Sequence, residues 1–417
     1  MSQRGTNWGG NLTYGVREVR LPTGLEALQE VVATTPRLRP LGTRHSFNGL
    51  ADTSAVQVTL EAMEQFVEVD DVSATARVSG GSTYGHIAPV LHDHGLALPN
   101  LASLPHISVA GACATATHGS GVRHRNLAAA VSAMEFVDGT GELVTVSRAN
   151  DPDIFPGCVV HLGALGVVTA LTLDLVPAQP VHQRAYVNLS RSALAANLAE
   201  ILAGADSVSC FTRWQDDVIE TVLHKDMRDP ADDPTELFGA ARATRPRHPI
   251  LGMSTESVTQ QLGCPGPWHE RLPHFRLGHT PSAGKEIQSE WFVDRRDAAD
   301  ALEAVWEAGP DLDEALQVSE IRTIAADDLW LSPMHERDVL GLHFTWTLDQ
   351  PVVDRAVERV EDALAPFDPV PHWGKVSHAD RDVYASRYDR LDDFTGLAER
   401  FDPDHRFRNP FLDDLLG

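Results

Sequence analysis

The stretch Pro99-Asn100-Leu101-Ala102-Ser103-Leu104-Pro105-His106-Ile107-Ser108-Val109-Ala110-Gly111-Ala112-Cys113-Ala114-Thr115-Ala116-Thr117-His118-Gly119-Ser120-Gly121 contains no Lys, Arg, Asp or Glu, in a chain that is 22% charged. From Ser108 onward it is nearly all Ala, Gly, Ser and Thr, side chains that let a backbone approach closely. Gly111, Gly119 and Gly121 accept positive φ without steric cost, so successive N–H groups can converge on one concavity and hold a phosphate by main-chain dipoles. With no cation in the run, a pyrophosphate here is bound by N–H and hydroxyl donors alone. Composition alone balances that cradle evenly against a tightly packed turn between buried helices. The run is neither G-x-G-x-x-G nor G-x-x-x-x-G-K-[ST], so neither dinucleotide fingerprint decides between them.

The segments around this run alternate between the periods of strand and helix. Upstream, Leu25, Leu28 and Val32 lie at helical spacing. Arg37-Leu38-Arg39-Pro40-Leu41 reads as a short strand entering the glycine-turn loop Gly42-Thr43-Arg44-His45-Ser46-Phe47. Strands are expected at 56–59, 66–69 and 77–79, and a helix over 84–95. Downstream, 131–137 and 143–146 flank Asp138-Gly139-Thr140-Gly141, a hairpin signature. Residues 162–173 read as a glycine-bearing turn feeding a strand, and Pro177 and Pro180 bracket a domain boundary. The pattern is α+β. From about 180 to 366 the texture changes to longer loops and a proline-rich insertion from Pro230 to Pro281, with helices expected over 298–306 and 352–364.

Two strands between those helices carry chemistry. In Leu316-Gln317-Val318-Ser319-Glu320-Ile321-Arg322-Thr323, a period of two puts Glu320 and Arg322 on one face. In Leu342-His343-Phe344-Thr345-Trp346-Thr347 it puts His343, Thr345 and Thr347 on one face and the apolar residues on the other. As neighbours, the strands present a carboxylate, a guanidinium, an imidazole and hydroxyls on one surface, which suits a polyhydroxylated ligand. A solvated sheet face with a surface ion pair is the alternative. Pro371-His372-Trp373-Gly374-Lys375 adds a lysine beside an aromatic and a glycine.

A length of 417 residues favours two domains, and a net charge of −25 disfavours nucleic acid or anionic membrane as partner. Cys113, Cys158, Cys210 and Cys264 lie far apart without metal spacing, and are read as free thiols in a reducing compartment. Without an apolar h-region or a run long enough to span a bilayer, a soluble cytoplasmic protein is expected.

Taken in order, Asn7-Trp8-Gly9-Gly10-Asn11, the Gly42 to Phe47 loop, Ser103 to Gly121, Leu162-Gly163-Ala164-Leu165-Gly166-Val167-Val168-Thr169, His372-Trp373-Gly374-Lys375 and Asp402-Pro403-Asp404-His405-Arg406-Phe407-Arg408-Asn409 resemble the flavoproteins of the vanillyl-alcohol-oxidase type. The similarity is closest to the alditol, or xylitol, oxidases, and Pro265-Gly266-Pro267-Trp268-His269-Glu270-Arg271-Leu272-Pro273-His274-Phe275 and the Glu320/Arg322 and His343/Thr345 strands share it. The resemblance implies a two-domain PCMH-type FAD-binding fold. Residues 1–178, with 367–417 returning, would bind FAD, and 179–366 would form an antiparallel-sheet substrate domain. It implies covalent attachment of FAD through His45 alone, because no cysteine occupies a second tethering motif. Gly42, Thr43, Arg44, Ser46, Ser103, Ser108, Gly111, Thr115, Ala116, Thr117, His118 and Val168 would contact the cofactor.

By the same resemblance Ser103, Glu320, Arg322, Thr345 and Lys375 contact substrate, with Arg322, Lys375 and His343 nearest the chemistry. The implied reaction oxidises the terminal primary alcohol of an alditol and passes the electrons to dioxygen, giving hydrogen peroxide; a monomer is expected. A sugar-lactone oxidase or dehydrogenase of the same family and a flavin-binding protein without turnover are the two alternatives. Comparing an alditol with an aldonolactone as substrate separates the first, and loss of activity with flavin retained in Lys375→Met separates the second.

Overall fold

The computed structural model describes residues 5–227 and 234–417; Pro230 of the expected insertion, like residues 1–4, lies outside the described residues. A small parallel sheet orders Glu18–Arg20, Val56–Val58 and Leu38–Pro40, with Val56–Val58 in the middle. Leu28 and Val32 of the helix Leu25–Thr34 are buried in a cluster with Leu38, Val58, Val137, Val167 and Phe407. The Gly42 to Phe47 loop leaves this sheet directly after Leu38–Pro40.

An antiparallel sheet of five strands runs Val67–Asp70, Thr75–Ser79, Val167–Asp174, Val131–Val137 and Leu143–Ser147. The hairpin between Val131–Val137 and Leu143–Ser147 turns where Asp138 Oδ1 accepts from the Thr140 and Glu142 amides and Gly141 takes φ 90°. Thr83 caps the helix Tyr84–Asp93 by accepting from the His86 amide, and the helix ends two residues before the expected boundary, because Gly95 turns left-handed at φ 72°. The decisive stretch forms the short helix Val109–Ala114, followed by Ala116 at φ 52°.

The third sheet is antiparallel throughout. From edge to edge it runs Glu236–Leu237, Ala240–Arg242, His182–Ser190, Val218–Asp226, Ser207–Thr212, Leu316–Ile324, Val339–Trp346, Ile287–Asp294 and Val370–Pro371. The two strands read as carriers of chemistry are therefore neighbours. Leu342, Phe344 and Trp346 point to the face covered by the helices Ala298–Leu312 and Gln350–Leu364, in a core that includes Leu302, Val305, Val353 and Val357. Sequence predicts the first of these helices to stop at Trp306, but it continues through Gly309 and Pro310. Gly309 lies against Trp214, where a Cβ would meet the Trp214 carbonyl at 2.4 Å, so burial there overrides two residues of poor helix propensity.

The C-terminal segment returns to the first part of the chain. Tyr384, Phe394, Phe401 and Leu412 share one core with Ile87, Phe136 and Leu171. Buried Arg39 locks this return, donating from Nη1 to the Gly163 and Phe407 carbonyls and from Nη2 to those of Leu50 and Leu162, at 2.7–3.0 Å. Asn409 reaches the carbonyls of Gly49, Leu50 and Asp52.

Candidate cofactor and substrate site

A long cleft lies between the polar face of the nine-stranded sheet and the loops at 42–47, 103–118 and 161–168. Its uncharged wall is made by small residues. A Cβ on Gly42 or Gly111 would meet Ser108 Oγ at 2.7 or 2.8 Å, and one on Gly80 would meet the Val168 carbonyl at 2.0 Å. Ser108 is fixed by its amide, which donates to Thr43 Oγ1. Thr115 and Thr117 join their hydroxyls at 3.1 Å across the left-handed turn at Ala116.

His45 is presented by a strained turn. Arg44 sits at φ 66°, a region costly for a side-chain-bearing residue, and its carbonyl is held by the Trp8 amide. Trp8 stacks on the imidazole at 5.2 Å and 19°. Asn7 Nδ2 donates to the Ser46 carbonyl and Asn11 Nδ2 to that of Phe47, which explains why the Asn7 to Asn11 motif accompanies this loop. One ring nitrogen, Nδ1, meets Thr43 Oγ1 at 3.1 Å; the other, Nε2, is buried without a hydrogen-bond partner among the described residues. Burial, and then the nearby His106, push the His45 pKa down to about 4, so the ring is neutral at physiological pH. A cofactor bound along the cleft fits this arrangement: the ribbon supplies backbone and hydroxyl donors, and the buried His45 Nε2, without a hydrogen-bond partner among the described residues, is open to a bound group.

The same loop also positions the lysine. The Phe47 amide donates to the Gly374 carbonyl, and Asn48 Nδ2 donates to the carbonyls of Trp373 and Lys375. Trp373 is stacked on Tyr384 and Tyr388, with its Nε1 donating to the Leu331 carbonyl. The ring is a buried anchor, and Lys375 projects from the turn that follows it.

At the centre of the polar face stands Glu290, which sequence reasoning did not single out. It pairs across the sheet with His343, whose other neighbour is Glu320, so the three form a row over adjacent strands. Arg322 Nη2 donates to Glu290 Oε1 at 2.6 Å and Lys375 Nζ to Oε2 at 2.7 Å. Burial would raise the carboxyl's pKa, but Arg322, Lys375 and His118 outweigh it and hold Glu290 well below the usual range. Glu320 is likewise kept ionised, by Arg322 and then His274, against its burial. Burial works against the Arg322 charge too, yet the two carboxylates raise its pKa, so it stays a cation. Burial lowers Lys375 despite Glu290. His343, desolvated and facing Lys375, is held well below the ordinary imidazole value and bonds Gln288 Oε1 through Nε2.

His118, Glu290 and His372 bring one potential ligand atom each within 4.8 Å of one another. Both Glu290 oxygens already carry cationic donors, so the cluster is an ion-pair node rather than a cation site. Arg322 Nη1 approaches Ser103 Oγ at 3.5 Å, and its buried Nε faces Glu320 Oε1 at 3.7 Å. Thr345 completes the face beside Gln288.

Every site residue expected from sequence lines this one cleft except Ala116. Ala116 is fully buried and serves as the left-handed turn that sets Thr115 and Thr117 facing the cleft. Besides Glu290, the structure brings in His274, Gln288 and His372. The signal for Glu290 was present: a lone carboxylate amid Trp291, Phe292 and Val293.

Residues 17–147 match the family model described as an FAD binding domain, and residues 281–415 match that of D-arabinono-1,4-lactone oxidase. The chain is 46% identical to an alditol oxidase from Streptomyces sp. over the full length of both. It is 27% identical to an L-gulono-1,4-lactone dehydrogenase of Mycobacterium tuberculosis, again over all of both chains. A cholesterol oxidase structure from B. sterolicum superposes with TM-score 0.78 over 99% of this chain and 96% of that one, at 14% identity, a likeness of fold.

Proposed function

Because the chain belongs to the alditol oxidase family of vanillyl-alcohol-oxidase-type flavoproteins, we propose that it oxidises the terminal primary alcohol of alditols such as xylitol and sorbitol to the aldose. FAD when bound supplies the two-electron acceptor, dioxygen takes the electrons onward, and hydrogen peroxide is released. The observation that carries the reading is the row Glu320, His343, Glu290 with Arg322 and Lys375 across it, facing the uncharged cradle.

Glu320, Ser103 and Thr345 hold the hydroxyls of the chain and fix which carbon is presented. Arg322, permanently charged, stabilises the developing alkoxide electrostatically. Lys375, ion-paired to Glu290, is the second cation beside the developing alkoxide, and Arg322 and Lys375 are the two groups placed to assist proton removal. His343, kept neutral, orients the face through Gln288. The cofactor is tethered covalently at His45, whose neutral ring and unpaired nitrogen support the assignment. Gly42, Thr43, Arg44, Ser46, Ser108, Gly111, Thr115, Thr117, His118 and Val168 form the walls against it. The FAD-binding part comprises 1–178 and 367–417 and the substrate part 179–366, in a cytoplasmic monomer. Among the described residues no helix is long and apolar enough to cross a membrane.

Peroxide release with xylitol and with an aldonolactone, at matched concentration, tests the reading. Turnover of xylitol supports it; turnover of the lactone alone assigns the lactone chemistry instead.

A further inference from the structure

A second buried chain of polar groups enters the site from behind. Lys225 lies on Val218–Asp226, two strands away from Glu320 in the sheet, and is fully buried among protein groups. Its Nζ donates to the Leu272 carbonyl and meets His274 Nδ1 at 2.8 Å. His274 Nε2 in turn lies 2.8 Å from Glu320 Oε1. The His274 backbone amide donates to the Ser103 carbonyl, and its ring packs edge-on against Phe211, the cross-strand neighbour of Glu320.

Donor and acceptor roles along this chain follow from chemistry. Glu320, held ionised, offers only acceptors, so His274 Nε2 must carry the ring proton and Nδ1 accepts from Lys225 Nζ. That proton points at Glu320 Oε1, which leaves Oε2 to receive a hydroxyl of a ligand. We infer that Lys225 and His274 are positioning residues of the alditol site, fixing Glu320 as an oriented hydrogen-bond acceptor and so setting the affinity for the substrate hydroxyl it receives. The inference rests on the proposed alditol reading of the cleft. Neither residue touches the reacting carbon in this scheme; each acts through Glu320.

The test uses three variants of the holoenzyme, with xylitol binding measured by calorimetry on protein already reduced and kept anaerobic, so that binding is not followed by turnover, and by the KM and kcat of oxygen uptake. His274→Leu removes both hydrogen bonds; Kd and KM are expected to rise about 10–100-fold, the usual effect of leaving a buried charged acceptor unpaired, while kcat changes less than about threefold. Lys225→Met removes the donor that holds Nδ1 and lets the ring shift from Glu320, and is expected to weaken binding by about 3–10-fold. His274→Gln keeps an acceptor for Lys225 and a donor for Glu320, and is expected to lie within about threefold of wild type. A merely structural role for His274 would not be rescued by glutamine, nor split KM from kcat. Unchanged Kd in His274→Leu overturns the inference, as does His274→Gln binding as poorly as Lys225→Met. Should His274→Leu fail to fold, the other two variants decide by the same criteria. Failure of wild-type protein to bind xylitol overturns the alditol reading and this inference with it, whereas wild-type binding with no effect of the variants overturns the inference alone.

Discussion

Replacing Glu290 with glutamine perturbs the site at the node on which two cations converge. The carboxylate accepts from Arg322 at 2.6 Å and from Lys375 at 2.7 Å, and all three side chains are buried or nearly so. Glutamine keeps the shape but offers one oxygen, and turns an amide donor toward one of the two cations. Breaking a buried ion pair on one side costs about 3–5 kcal/mol, since the partner charge is left uncompensated. With an unfolding entropy of about 2.1 cal/mol/K per residue, a chain of this length loses about 3–6 °C in Tm for that change. The second effect is on titration. Burial lowers the Lys375 pKa and Glu290 is the first group opposing it, so without the carboxylate the ammonium gives up its proton at lower pH. In the pH profile of the rate at which xylitol bleaches the yellow protein, the limb belonging to Lys375 is expected to move acidward. Differential scanning fluorimetry and anaerobic stopped-flow over a pH series measure both. A Glu290→Gln protein with wild-type Tm and an unmoved profile would refute the claim that this carboxylate organises the two cations.

Three further outcomes rest on other contacts of the same site and its walls. His45→Ala is expected to release its flavin into the supernatant on acid precipitation while wild type retains it, and retention by the variant would contradict the tether. Arg39→Leu strips four carbonyls of a charged donor in the wall that joins the C-terminal return to the first sheet, and is expected to cost about 3–5 kcal/mol in urea unfolding. Buried His161 accepts from the Gly163 amide, and desolvation, then Arg39, lowers its pKa to about 4. Its neutral form is favoured by folding, so its contribution is full above the unfolded value of about 6.5 and is lost as pH falls toward 4, about 3 kcal/mol across that window. His161→Asn, which keeps an acceptor for the amide, is expected to flatten the dependence of stability on pH between those limits.

The polar sheet face was legible because it is carried by period two within single strands. Leu342, Phe344 and Trp346 had to face a core, which left His343 and Thr345 no other side. The cradle was legible for a similar reason, an uncharged run in a charged chain. Glu290 escaped because its one local sign, a carboxylate set against Trp291, Phe292 and Val293, says nothing of the partners that give it a role. Its partners Arg322 and Lys375 lie 32 and 85 positions along the chain and meet it only once the sheet has formed. His274 sits in a loop without periodicity, and Lys225 on a strand that reads as core, so their meeting with Glu320 is a property of tertiary packing alone. Ala116 erred the other way: small residues in a cradle look equivalent in sequence, while φ 52° marks this one as the turn beneath the cleft.

Anaerobic mixing of the yellow holoprotein with xylitol tests the central claim most directly, followed by admission of dioxygen. Bleaching by xylitol, with colour restored by dioxygen and peroxide formed one for one with xylitol consumed, is the result this account predicts. Colour that persists with xylitol but bleaches with an aldonolactone would contradict it.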